Sequence, residues 1–245
     1  MNLKDTRPVR RVQRHPQGAV GSGWPYTLPA VTQLLTEGLD LPAGVTFLVG
    51  ENGSGKSTLV EGIAEAYGLN PEGGSRGVRH STRASESPLG SALQLVKSPS
   101  AGLWSYFLRA EAMHGEYTFI ERAYRDVNLS VPEEERYHEM SHGESFLQIL
   151  RRKLDTPGFY LMDEPEAALS FRSSLTLVAM LAEMHTNGSQ VLVATHSPLL
   201  CSLPGATVLE VGEHGLQQVA WDELQLVQDW KSYLKNPEAW LRHLL

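Results

Sequence analysis

The eight residues Gly50-Glu-Asn-Gly-Ser-Gly-Lys-Ser57 constrain this 245-residue chain more than any other feature. They fit the pattern G-x-x-x-x-G-K-[ST] without departure. They stand between an apolar run, Val45–Val49, and a helical stripe of Leu59, Val60, Ile63, Ala64 and Tyr67. Glycines at these spacings let the backbone curl so that successive N–H groups face the β- and γ-phosphates of a nucleotide, at the positive end of the following helix. Lys56 can set its ammonium between the same phosphates, and the Ser57 hydroxyl can ligate Mg2+. A strand, a glycine turn and a helix in that order call for an α/β fold.

The rest of the chain agrees with that class. Phe159–Met162 and Gln190–Ala194 are continuous apolar runs, as expected for strands covered on both faces of a mainly parallel sheet flanked by helices. Leu175, Val178, Leu181 and Met184 repeat at helical spacing, with Gly188 past the end. Ala206–Val211 and Leu216–Trp221 flank Gly212–Gly215 as a hairpin or meander, and a last helix is expected over Asp222–Leu245, interrupted around Asn236-Pro237. Residues 70–100, rich in Gly, Ser, Pro and Arg, read as a long loop with one strand, and Trp104–Ala110 as another strand. The polar stretch 112–140, with Glu133–Glu135, is a solvated segment leading into a helix that carries Phe146, Leu147, Ile149, Leu150 and Leu154. We expect a single domain over 1–245 with a small helical lobe, residues 112–155, inserted in the core.

Composition narrows the partners. A chain that is 41% hydrophobic and 20% charged can build a full core without staples. The net charge of −7 removes the basic excess of a DNA-coating protein. No apolar run approaches the ~18 residues of a membrane span. Met1–His15 carries five cationic side chains but no apolar region after them, so it is not a secretory signal. The single cysteine, Cys201, precludes an internal disulfide, fits a cytoplasmic location and reads as a small buried hydrophobe.

The run Phe159–Met162 ends on two adjacent carboxylates, Asp163 and Glu164. Such an ending is costly for a buried strand unless a cation waits there. Beside a phosphate loop, Asp163 can hold Mg2+ and its water shell, while Glu164 can polarise an attacking water. The plainer alternative is a strand that surfaces at Asp-Glu-Pro.

Asp163-Glu-Pro-Glu-Ala-Ala-Leu-Ser170 resembles the Walker B, catalytic-glutamate and D-loop run of ATP-binding-cassette ATPases. Ala194-Thr-His196-Ser-Pro198 resembles their switch-histidine loop, and Ser141-His-Gly-Glu-Ser145 a degenerate form of their signature that keeps Ser141 and Gly143. The order of the motifs is also the family's order, and the resemblance covers residues 45–211. At finer grain, the phosphate loop, Ser81–Ser85, Phe107–Glu111 and Ser141–Phe146 are similar to small bacterial ATPases of the ABC or AAA type.

The resemblance implies a P-loop NTPase with an ABC-type core. Nucleotide contacts are implied at Gly50, Glu51, Asn52, Gly53, Ser54, Gly55, Lys56, Ser57 and Thr58, and from a second subunit at Ser141 and Gly143. It implies Mg2+ at Ser57 and Asp163, Glu164 as the base and His196 as the sensor of the γ-phosphate. Glu166 is expected to point along the chain toward the D-loop. Ser141-x-x-Glu144 has a compatible local reading as a capping box, and His196 has the alternative of a satisfied core histidine.

The strand-end glutamine of transporter cassettes has two candidates: Glu111, at the end of the expected strand and a further metal contact, and Gln94, 38 residues after Lys56. Trp24 or Tyr26 can stack on adenine or belong to the core. Arg76, Arg79, His80 and Arg83 form a basic loop that is either solvated or touches phosphates or a partner. The function expected is Mg-dependent ATP hydrolysis by an ATP-sandwiched homodimer coupled to an unidentified effector protein. The alternatives are a transporter's nucleotide-binding subunit and the ATPase of a nucleic-acid maintenance or defence system. A full chromosome-structure ATPase is excluded, because the 84 residues from Ser57 to Ser141 contain no heptads for a coiled coil. A phosphotransferase would leave Ser141 and His196 unexplained.

Overall fold

The computed structural model describes residues 7–75, 87–98, 104–110, 142–167 and 169–242, with backbone alone at 142–145. Among these residues ten strands form two sheets. The strands are β1 (Val9–Arg14), β2 (Leu39–Asp40), β3 (Gly44–Val49), β4 (Gly74–Ser75), β5 (Leu93–Lys97), β6 (Ser105–Arg109), β7 (Phe159–Asp163), β8 (Gln190–Thr195), β9 (Thr207–Gly212) and β10 (Gly215–Gln218). The main sheet has the order β10-β9-β3-β8-β7-β6-β4; its five central strands are parallel and both edges antiparallel. A smaller antiparallel sheet has the order β2-β1-β5.

Every residue of β3, β7 and β8 is buried, and their side chains alternate between two cores. Phe47, Tyr160, Met162, Val191 and Val193 face one layer, which includes α4 (His142–Lys153), α5 (Phe171–Thr186) and the start of α6 (Gln225–Lys235). Leu48, Phe159, Leu161, Leu192 and Ala194 face the other, with α1 (Pro29–Glu37), α2 (Lys56–Tyr67) and the small sheet. This double cover is why the runs are apolar throughout; each fully buried large side chain contributes roughly 1.5–3 kcal/mol.

Gln190, at the start of β8, joins the two sheets. Its amide donates to the carbonyls of Val9 (2.7 Å) and Pro42 (2.9 Å), and its oxygen accepts from Val9 N–H (2.9 Å). Helix α2 ends at Gly68, and α5 is capped by Ser170, whose hydroxyl accepts from Ser173 N–H.

Several expectations change. The stretch 70–100 holds two described strands and a one-turn helix α3 (Leu89–Ala92), because β5 finds a partner in β1. Neither β1 nor α1 had a long enough pattern to be read from sequence. The second arm of the C-terminal hairpin stops at Gln218. The last helix is divided into a 3-10 turn at Trp221–Glu223, α6, and α7 (Pro237–Leu241), which Asn236 caps at its start. Of the helical lobe proposed over 112–155, residues 112–141 lie outside the described residues and 142–153 are helical. Cys201 is buried, and burial pushes its thiol up to about 12.

Candidate functional site

The order β3-β8-β7 brings the carboxyl ends of three parallel strands side by side, and the loop after each carries one of the motifs. Open α/β sheets place ligands at this edge. The phosphate loop leaves β3 at Gly50, where a Cβ would come within 2.1 Å of the Val211 carbonyl on β9. Only glycine lets the two backbones pass so closely. Gly55, with φ 101°, turns the chain into α2 through a left-handed conformation that favours glycine.

Lys56 is 3% exposed, and its ammonium donates to the Glu51 carbonyl at 2.9 Å across the loop. Burial lowers its pKa, against the opposing influence of Glu164, Asp163, Glu51 and Glu166. A buried cation held by a neutral carbonyl suits an anion that is still to arrive. Among the described residues the buried hydroxyl of Ser54, in the same loop, has no hydrogen-bond partner.

The Ser57 hydroxyl, at the first turn of α2, donates to Asp163 Oδ1 at 2.9 Å. Burial raises the Asp163 pKa, while Ser57 and Arg109 pull it down. This pair of oxygen donors fits a hard cation such as Mg2+. Among the described residues no group of three or more His, Cys, Asp and Glu gathers to hold a metal.

The raised pKa gives a testable sign. The carboxyl is favoured in its neutral form on folding, so its contribution to stability is fullest below 3.8 and is lost as pH rises through the folded value. Without metal, in chelator, Asp163→Asn is therefore expected to melt higher than wild type at neutral pH, by roughly 2–4 °C per kcal/mol relieved. The gap should close toward pH 4. A lower melting point for Asp163→Asn at neutral pH would mean that its carboxylate stabilises the metal-free fold.

Glu164 follows with φ 48°, the only described non-glycine residue in that region. Backbone in this region is held by its surroundings, and such residues cluster at sites. Glu164 N–H donates to the Ala194 carbonyl at 3.0 Å, tying the ends of β7 and β8. Its Oε1 lies 3.1 Å from His196 Nε2. The structure thus brings Lys56, Ser57, Asp163, Glu164 and His196 to one edge.

Glu166 departs from expectation. It turns back onto the β8 loop, where its Oε1 accepts from His196 N–H at 2.8 Å and from the Thr195 hydroxyl. The sequence reading also missed Arg109. In register with Asp163 on the neighbouring strand, it pairs with Glu61 (2.9 Å) and donates to the Pro71 carbonyl. Both roles are set by which strands are neighbours, and no spacing along the chain reports that.

Gln94 lies on β5, exposed, opposite Gln13, with their amides 3.4 Å apart. That puts it on the small sheet and removes it from the strand-end role. Glu111, Ser141 and the basic loop Arg76, Arg79, His80 and Arg83 lie outside the described residues, while Gly143 is in the first turn of α4. Tyr26 donates toward the carbonyls of Ala19 and Pro88, and Trp24 is exposed.

The family model described as ABC transporter matches residues 39–167, more than half of the chain. A model for an AAA domain of the AbiEii toxin, type IV TA system kind, matches residues 135–202. The hemin import ATP-binding protein HmuV of Chelativorans sp. (strain BNC1) is 28% identical over 174 residues, 63% of this chain and 66% of that protein. The xylose import ATP-binding protein XylG of Geobacillus kaustophilus (strain HTA426) is 23% identical over 202 residues, 74% of this chain and 39% of that protein. The chain thus spans just under two thirds of the first relative and well under half of the second. A solved metal-chelate type ABC transporter, in an inward-facing conformation, superposes with a TM-score of 0.51 at 14% identity over 94% of this chain and 89% of that chain, a likeness of fold alone.

Proposed function

The chain belongs to the ABC transporter family of P-loop ATPases, and from that premise we propose that it hydrolyses Mg-ATP as a dimer enclosing two nucleotides and drives a partner protein. The observation that carries the reading is the meeting of Lys56, Asp163, Glu164 and His196 at the ends of three adjacent parallel strands. In this reading the loop N–H groups of residues 50–58 bind the phosphates, and the Lys56 ammonium leaves the Glu51 carbonyl for them. Ser57 and Asp163 would hold Mg2+, which supplies neutralisation of charge on the β- and γ-oxygens. Glu164 orients the attacking water and accepts its proton, and the imidazole of His196 stands beside it to steady the same water and the γ-phosphate.

A second copy completes the site by contributing Ser141 and Gly143, the latter in the first turn of its α4, where helix N–H groups can meet a γ-phosphate. Support comes from Phe171 and Leu175, 71% and 49% exposed and one turn apart on α5, directly after the acidic run. Apolar side chains side by side at the surface suit a protein partner. Ser141→Arg is expected to leave ATP binding to the single chain intact and to suppress hydrolysis. Turnover strictly first order in enzyme, with no dimer at any ATP concentration, would defeat the composite site.

Two kinds of partner stay in play. The names of the import proteins favour a membrane transporter, whereas the AAA-domain match over 135–202 favours a defence-type ATPase. Among the described residues no helix is long and apolar enough to cross a membrane. Pull-down with hydrolysis blocked by Glu164→Gln separates them by whether the captured protein is membrane-embedded.

A further inference from the structure

We propose that Glu166 is a positioning residue that holds His196 in place against Glu164, an inference that rests on the ATPase reading above. Glu166 ties the β8 loop by hydrogen bonds, and the Glu164 carboxylate stands against its histidine without one. The Glu164 carboxylate lies 3.1 Å from the imidazole, and the Glu166 carboxylate takes the backbone N–H of the same histidine at 2.8 Å and the hydroxyl of Thr195. Thr195 is fully buried and its hydroxyl accepts from Ser197 N–H at 2.9 Å, so two residues are tied to the carboxylate directly and Ser197 through the Thr195 hydroxyl.

The gripping turn is itself braced. Ala167 N–H donates to the Glu164 carbonyl (3.0 Å), and Leu169 N–H to the Glu166 carbonyl (2.8 Å). With Glu164 in a left-handed conformation and tied to Ala194, the backbone that carries both carboxylates is held to the end of β8. The acidic run can therefore move only by carrying His196 with it, and a shift of that run becomes a shift of the imidazole relative to the water that Glu164 activates. Among the described residues the other oxygen, Oε2, is buried and has no hydrogen-bond partner.

The chemistry separates two substitutions. Glu166→Gln keeps an oxygen that can accept both bonds, and its amide falls where Oε2 has no partner. Glu166→Ala leaves His196 N–H and the Thr195 hydroxyl unpaired and the loop untied.

Steady-state hydrolysis, ATP titration and melting of both variants test the inference, alone and in a His196→Ala background. Glu166→Ala should lower kcat about 10–100-fold through misplacement of the imidazole, with ATP affinity within ~2-fold of wild type. Glu166→Gln should stay within ~5-fold of wild type, and in the His196→Ala background Glu166→Ala should cost no more than ~3-fold further, because the two act as one unit. Exchange of the His196 backbone amide, read without nucleotide, should quicken in Glu166→Ala and hold in Glu166→Gln. Additive losses in the double variant, or equal damage from Gln and Ala, would overturn the role. If wild type itself hydrolyses no ATP, the ATPase reading falls and takes this role with it. Normal wild-type turnover with additive losses sinks the positioning role alone.

Discussion

Glu164→Gln is expected to bind Mg-ATP as wild type does and to turn it over about 10²–10⁴-fold more slowly, the range for a positioned general base. The substitution keeps shape and reach. It also leaves the N–H bond from residue 164 to the Ala194 carbonyl, which helps hold the unusual backbone at φ 48°. What it removes is the negative charge that draws a proton from water. With the bond to the γ-phosphate uncleaved, the nucleotide should keep two copies together. Size exclusion should then show a dimer with Mg-ATP and a monomer with ADP. The control is two residues away: Glu166→Gln retains an acceptor for His196 N–H and Thr195, so its loss should be small. Near-wild-type hydrolysis in Glu164→Gln, or an equal loss in Glu166→Gln, would mean that the base is another carboxylate.

What the sequence displayed plainly was whatever has a strong local cause. The phosphate loop is written in glycines because Gly50 passes the β9 backbone and Gly55 enters α2 left-handed. Strands β3, β7 and β8 show as apolar runs because both of their faces are covered. Asp163, Glu164 and His196 could be found because each ends such a run. What stayed hidden depends on long-range pairing. Strand β1, with its three arginines, acquires its identity from β5 some eighty residues later and from the Gln190 amide. The turn of Glu166 toward Thr195 and the pairing of Arg109 with Glu61 are set by which strands are neighbours, and no spacing along the chain reports that. Gln94 failed as a strand-end candidate for the same reason, since distance from Lys56 counts residues and not sheets.

Lys56→Ala is expected to lower ATP affinity about 30-fold or more, the loss typical when one partner of a desolvated charge pair is removed (about 2–5 kcal/mol). Lys56 is 3% exposed and its ammonium points across the loop at the Glu51 carbonyl, so little water is available to replace it once phosphates arrive. Arginine is a poor substitute, because a planar fork does not fit the closed curl that a compact ammonium occupies. The fold itself should survive. In the nucleotide-free protein the charged lysine is penalised by burial, and its lowered pKa means that folding favours the neutral amine. That penalty applies at neutral pH and fades only as pH rises through the lowered value toward 10.5, so removing the charge should leave the neutral-pH melting temperature at or above that of wild type. The same shift gives wild-type binding a pH dependence that the variant must lack. ATP affinity should weaken on the alkaline side as Lys56 loses its proton earlier than an ordinary lysine, while the Lys56→Ala isotherm stays flat over that range. Calorimetric titration at several pH values checks both statements. An unchanged affinity in Lys56→Ala would remove the phosphates from this loop, and an alkaline decline equally present in the variant would assign the titration to some other group.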